Sequence, residues 1–213
     1  MQSISFSENL INKAYADTCQ SLSRIKSKAK NCKECNLCET ALQTVNSVHR
    51  GDITKIDYFL LGEAPGKTED TIGKPFVGKA GVLLQGLLQE LEMTDNLYVT
   101  NVVKHRPPHN RKPTAEEMSI CGDLFLKNEI NVIKPKTIIC LGRTAAEYLI
   151  TASLKSNDIP EEPYLKRSLR GRSFTFNHIP VLCTWHPAYI LRNPEKLEEL
   201  KGDLNSAKEF IKK

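Results

Sequence analysis

Apolar positions along this chain follow two rhythms, one suited to helices and one to short buried strands. Residues 7 to 30 are polar, free of Pro and Gly, with Leu10, Ile11, Ala14, Cys19, Leu22 and Ile25 spaced to predict one helix face. The run IDYFLLG predicts a strand that stops at Gly62 and enters the turn-rich GEAPGKTED. KAGVLLQGLLQELEM is apolar at 82, 83, 84, 87, 88 and 91, which predicts a mostly buried helix. LYVTNVV predicts a second strand, followed by the Pro-rich basic loop KHRPPHNRKPT. Thr114 reads as an N-cap with Glu117 as its capping-box partner, opening a helix to about Val132. KTIICLG predicts a third strand closed by Gly142, and RTAAEYLI opens another helix. Residues 151 to 178 read as irregular and basic, with a hairpin around Arg170 to Phe176. IPVLCTW predicts a fourth strand, HPAYILRNP a loop, and Glu195 to Ile211 the last helix.

Strands alternating with helices predict an α/β fold with a four-stranded, mainly parallel sheet. Ligands bind such sheets beyond the carboxyl ends of the strands. Three of the four predicted strands end in a polar loop containing Gly or Pro: GEAPG, KHRPPHN and HPAYILRNP. The three loops are expected to meet at one cleft. The 213 residues are expected to form one domain, with residues 1–31 as an N-terminal helical segment.

The composition is that of an ordinary globular chain, 40% hydrophobic and 26% charged. The net charge of +5 suits a polyanionic partner without demanding one. No apolar run is long enough to span a bilayer, and the first residues do not read as a signal peptide. A cytoplasmic protein is therefore expected, its seven cysteines free of disulfides. Cys32, Cys35 and Cys38 form C-x2-C-x2-C, a spacing that points to metal. No second C-x2-C follows, so any remaining ligand comes from far along the chain, with His105, Cys121 and Cys140 as candidates. Cys140 and Cys183 lie inside apolar strands and read as core thiols, and Cys19 as packing. The absence of G-x-G-x-x-G disfavours a nicotinamide or flavin redox protein.

GEAPGKTEDTIGKPFVGKAGVLL, TNVVKHRPPHNRKPT and CTWHPAYILRNP, in that order and after C-x2-C, resemble the motifs of family 4 uracil-DNA glycosylases. The likeness covers roughly residues 30 to 210. It implies a three-layer α/β/α sandwich and hydrolysis of the N-glycosidic bond of a flipped uracil, leaving an abasic site in single- or double-stranded DNA. It also implies one [4Fe–4S] cluster bound through a loop at residues 32–38. Cys32, Cys35 and Cys121 match three of its cysteine ligands. The fourth position, a cysteine in the family's KCRPP, is His105 here, so the fourth ligand is His105 or Cys38, the extra cysteine beside the pair; otherwise the cluster has an open corner or is missing. A monomer associated with the nucleoid is the expected form.

The resemblance also distributes roles. Phe76 would stack on the flipped base. Asn101 would pair with uracil O4 and N3–H, because an amide offers a donor and an acceptor. His186 would donate to uracil O2 as charge develops there. Gly62 and Ala64 would line the base pocket. Glu63 and Asn110 match positions that place the attacking water or the substrate. Better-known relatives carry an aspartate at the position of Ala64, so the general base is left open between Glu63, Glu69 and Asp70. Lys104, Arg106, Arg111 and Arg192 would hold phosphates, and Leu191 would wedge into the duplex. Each residue also has a plain structural reading: an anchored loop Phe, a turn-capping Asn, a His before Pro, solvated basic side chains. Two other functions compete: a non-catalytic iron–sulfur DNA-binding module, and a covalently trapping branch of the superfamily. In that branch a histidine, aligned with Asn110 here, attacks the sugar; His109 is one residue away.

Overall fold

The computed structural model describes residues 6–155 and 168–212. In chain order the elements are α1 (Phe6–Lys30), α2 (Leu37–Thr40), β1 (Val48–Arg50), β2 (Tyr58–Gly62), α3 (Lys67–Ile72) and α4 (Lys79–Glu90). They continue with β3 (Leu97–Asn101), α5 (Ala115–Cys121), α6 (Lys127–Ile133), β4 (Thr137–Leu141) and α7 (Arg143–Lys155). The last are β5 (Ser173–Phe176), β6 (Ile179–Thr184), α8 (Pro187–Ile190) and α9 (Leu197–Ser206). Among the described residues no helix is long and apolar enough to cross a membrane.

Among the described residues the sheet has six strands in the order β1-β3-β2-β4-β6-β5, two more than the four expected. The four predicted strands form its parallel centre, and β1 and β5 add antiparallel edges. β1 escapes the sequence pattern because it is three mostly exposed residues, whereas the alternating SFTF of β5 falls inside the hairpin expected around Arg170 to Phe176. The hairpin expected around Arg170 to Phe176 instead pairs β5 with β6 across Asn177 and His178, both at positive φ as a tight primed turn requires. Arg170 lies before it and pairs with Asp203 at 2.9 Å. Within the span read as irregular, residues 151–155 complete α7; residues 156–167 lie outside the described set.

Central strands are buried on both faces because helices cover both. Phe59, Leu61, Tyr98, Ile138 and Val181 pack toward α1, α5, α6 and α7. Tyr58, Leu60, Leu97, Ile139 and Leu182 pack toward α4, α8 and α9. The result is the expected α/β/α sandwich. In α1 the inward residues are Leu22 and Ala29, with Cys19 and Ile25 partly buried against the same core. Leu10 and Ile11, predicted on the same face, are exposed, since α1 runs past the core at that end.

The capping box at Thr114 forms as read: Thr114 Oγ1 accepts from Glu117 N–H, and Glu117 returns the bond to Thr114 N–H. The helix it opens runs to Ile133 through one π-helical turn at Gly122–Leu126. Gly122 lies against the Tyr148 ring, where a Cβ would stand 2.2 Å from the ring.

β2 and β4 are neighbours whose outgoing helices lie on opposite faces of the sheet. That reversal opens a crevice at the carboxyl ends of the strands. The loops after β2, β3 and β6 meet there, as the strand ends predicted.

Candidate active site

A cleft of about 490 Å³ lies between these loops. Its walls bring together Glu63, Ala64, Glu69, Phe76, Asn101, Asn110, Arg111, His186 and Arg192, from all three predicted loops. Gly62 lies directly beneath. The cleft places its ring and amide groups by glycine-permitted close contact. A Cβ on Gly62 would stand 2.3 Å from Asn101 Oδ1 and 2.6 Å from the Phe76 ring. A Cβ on Gly81 would overlap the Phe76 carbonyl, and one on Gly142 would stand 2.9 Å from His186 Cβ. Phe76 itself sits at φ +52°, a left-handed conformation that costs a bulky side chain about 1 kcal/mol or more. It is held there by the first turn of α4 and by Glu69. The Glu69 carboxylate accepts from Val77 N–H at 3.1 Å and Gly78 N–H at 2.7 Å. Phe76 and His186 present their rings 5.9 Å apart at 29°.

Asn101 is the last residue of β3, in register with Gly62, and is 3% exposed. Among the described residues its side-chain amide has no hydrogen-bond partner, so its donors and acceptor face the cleft uncommitted. His186 caps α8, its Nδ1 accepting from Ala188 N–H at 3.1 Å. An imidazole that accepts at Nδ1 carries its proton at Nε2. Burial, and then the nearby Arg192, push its pKa down to about 4, against the opposing pull of Glu69. At neutral pH His186 is thus an uncharged donor with a defined tautomer.

The three carboxylates left open as the base are now distinguishable. Glu69 organises the Phe76 loop. Asp70 is buried and accepts from the backbone N–H of Leu42 at 2.9 Å, which takes it out of the cleft and corrects its candidacy. The Glu63 carboxylate lines the cleft with no hydrogen bond or ion pair among the described residues.

The basic loop divides. Lys104, read as a phosphate contact, is interior: it is 1% exposed and pairs with Glu129 at 2.8 Å. That expectation is overturned, because the chain stays inside after β3, with Lys104, His105 and Pro107 buried, and surfaces only at His109 and Asn110. Arg106 Nε donates to Asn110 Oδ1 at 2.7 Å. Arg111 makes a two-pronged pair with Glu117, whose carboxyl its guanidinium holds below the usual range. His109 and Asn110 both adopt positive φ, which turns Asn110 into the cleft wall. His109 is not part of that wall. Arg192 and the exposed Leu191 follow α8 at the rim.

The cysteines gather on the other side of the β3–α5 loop. Cys32, Cys38 and His105 line a second cavity of about 500 Å³. Cys121 is buried, accepts from Lys104 N–H at 3.3 Å, and feels both Cys35 and Cys32. Burial pushes its thiol up to about 12 and raises that of Cys35 as well. Cys38 Sγ donates to the Cys35 carbonyl. Among the described residues no three His, Cys, Asp or Glu side chains close to metal-ligating geometry. Cys140 and Cys183 are core residues on adjacent strands, as expected.

The class follows from comparison. Residues 48–210 match the model described as the uracil DNA glycosylase superfamily, and the chain belongs to that superfamily. A type-4 uracil-DNA glycosylase of Archaeoglobus fulgidus is 34% identical over 200 residues, 91% of this chain and 95% of that protein. One from Thermotoga maritima is 37% identical over 187 residues, covering 85% and 91%. One from Sulfurisphaera tokodaii is 35% identical over 196 residues, covering 89% and 84%. Within the superfamily its place is with the type-4 enzymes.

Proposed function

We propose that the cleft binds a uracil flipped from DNA and that the enzyme hydrolyses its N-glycosidic bond, leaving an abasic site. One observation carries this reading. Phe76, Asn101 and His186 surround one space with a stacking face, an uncommitted amide and a neutral Nε2–H donor. Phe76 stacks on the base without choosing it. Asn101 Nδ2 donates to uracil O4 and Oδ1 accepts from N3–H; cytosine presents the opposite pattern and is rejected. As the C1′–N1 bond breaks, negative charge collects on the departing uracil, and His186 Nε2–H stabilises it at O2. The sugar becomes oxocarbenium-like and needs only a weakly activated water, which Glu63 and Asn110 orient toward C1′. Arg106, Arg111 and Arg192 contact phosphates, and Leu191 fills the gap in the stack. Turnover is favoured over covalent trapping because Asn110 stands in the cleft wall where the trapping branch has its attacking histidine, and the neighbouring His109 is not part of that wall.

The cysteine side suits a [4Fe–4S] cluster held by Cys32, Cys35, Cys121 and His105. The donor set is soft, and the Cys121 sulfur already accepts a backbone N–H, as cluster sulfurs do. Thr44 helps to choose His105 over Cys38. Thr44 Oγ1 donates to the Ala29 carbonyl at 3.1 Å and lies 2.9 Å from His105 Nε2. The single hydroxyl proton is used, so His105 Nε2–H donates and Nδ1 keeps a free lone pair. When bound, the cluster supplies a cross-link between the N-terminal segment and the β3–α5 loop, and takes no part in bond cleavage.

Incubation with a uracil-containing oligonucleotide, then alkali and a denaturing gel, tests the activity. Cleaved strands are expected, with no slower-migrating protein–DNA adduct. Intact strands from iron-loaded protein would sink the reading. Iron and sulfide analysis with a visible thiolate-to-iron band tests the cluster independently; a colourless zinc protein counts against it.

A further inference from the structure

Lys104 is a buried cation that the uracil chemistry above does not use. Its ammonium has three hydrogens and three acceptors: Glu129 Oε2 at 2.8 Å, Thr100 Oγ1 at 2.5 Å and the Asn101 carbonyl at 3.1 Å. Thr100 Oγ1 also lies 3.2 Å from Glu129 Oε2, closing the network. Lysine and glutamate side chains are each 1% exposed. β3 ends at Asn101; Val102 N–H still donates to the Gly62 carbonyl at 3.0 Å and Val103 N–H to the Glu63 carbonyl at 3.2 Å, and among the described residues beyond the strand it is the Lys104 ammonium that donates to the Asn101 carbonyl. The chain folds back over three residues so that Lys104 caps the carbonyl of the residue whose amide faces the cleft. The backbone of Lys104 is anchored independently: its N–H donates to Cys121 Sγ, and its carbonyl accepts from Val45 N–H. The ammonium is therefore a fixed point to which the end of β3 is tied.

We propose that Lys104, with Glu129 as its counter-ion, is a positioning residue for uracil recognition that sets the placement of the Asn101 amide. This rests on Asn101 reading the base. The pair lies under the sheet edge, away from the rim, so it governs the base subsite and not DNA contact. Misplacing a recognition group by about 1 Å is enough to cost on the order of a hundredfold.

The test separates positioning from folding. Lys104→Met/Glu129→Leu removes both buried charges at similar volume, which cores often tolerate where a single removal is not tolerated. Three quantities are measured: inhibition by free uracil, affinity for a duplex carrying an abasic site, and melting temperature. The expected result is free-uracil inhibition weakened about tenfold, while abasic-site affinity stays within about twofold of the parent. A general loosening moves both constants together, and that outcome, or unchanged uracil inhibition in a folded variant, overturns the proposal. If the double variant does not fold, Thr100→Val decides, since it leaves the ion pair and removes one acceptor of the network. The same split at about threefold is expected, and parallel movement or none overturns it. Excision by the unaltered enzyme tests the cleft reading alone. A parent that cleaves uracil DNA beside variants without the split removes only the role of Lys104.

Discussion

Phe76, Asn101 and His186 form the cleft floor, and Arg106, Arg111 and Arg192, which come from two of the same three regions of chain, lie toward its rim, yet the two groups are held in different ways. The floor residues are fixed by backbone: a strand end in register with Gly62, a helix cap, and a loop clamped by Glu69. The rim residues are fixed by side chains in solvent, as with Arg111, whose side chain is 42% exposed beside Glu117. Chemistry needs sub-ångström placement and charge in a dry site, so it belongs on the floor. Phosphate contact needs charge within reach and tolerates motion, so the rim suffices. Lys104 shows that sequence neighbourhood does not decide the matter. It lies seven positions before Arg111 in one basic segment, and is part of the interior.

The sharpest way to break the comparison is His186→Ala. It removes the only side chain assigned to the developing charge on O2, and kcat is expected to fall about 10²- to 10³-fold. Loss of the α8 cap costs about 1 kcal/mol of stability, so the variant should still fold. Single-turnover excision measures the effect; a loss below tenfold would move the catalytic donor elsewhere. Gly62→Ala comes next. Its methyl would enter the space between Asn101 Oδ1 and the Phe76 ring, and kcat/KM on uracil DNA is expected to drop about a hundredfold, with an overpacking cost of about 1–3 kcal/mol in stability. Near-normal turnover would show that the floor is softer than its contacts imply.

The sequence pattern carried the four central strands, the capping box and the convergence of three loops, because each depends on local periodicity or turn chemistry. It did not carry β1, whose partner β3 lies about fifty residues along the chain, and it placed the hairpin that contains β5 too early, before the Asn177–His178 turn. It also missed what each carboxylate is occupied with. Glu63, Glu69 and Asp70 lie within eight residues, and only tertiary structure shows Glu69 clamping Val77 and Gly78 and Asp70 bound to Leu42. A signal for Glu69 was present in the G-K-P-F-V-G turn, whose N–H groups need an acceptor. No such signal marks Lys104, since nothing local distinguishes an inward lysine from a solvated one. Its partner Glu129 is twenty-five residues away.

The pH dependence sharpens the floor. His186 has a pKa lowered in the folded protein to about 4, from an ordinary value near 6.5. The neutral donor therefore survives in the folded enzyme down to pH 5, and single-turnover excision should lose its histidine-dependent part only as pH approaches about 4. Stability moves with the opposite participant. Below about 6.5 the unfolded chain takes up a proton that folded His186 refuses, so this residue makes the protein less stable between about pH 6.5 and 4. An acid limb in the excision rate centred near 6.5 would mean that His186 titrates as if exposed, and the floor would lose its distinction from the rim.

The smallest effects belong to the rim, and their form matters more than their size. Arg192→Ala should weaken binding to uracil DNA several-fold and reduce the slope of log K against log salt by about one, because one phosphate contact is lost. Single-turnover cleavage at saturating enzyme should change little, since Arg192 is not asked to touch the base. Its removal should also let the His186 pKa rise slightly, because Arg192 is the second cause of its depression. Leu191→Ala should separate from both. A wedge has a gap to fill only in a duplex, so excision from double-stranded DNA should fall while excision from a single strand holds. If Leu191→Ala slows both substrates alike, the residue supports the floor through α8, and the line between floor and rim must be drawn outside it.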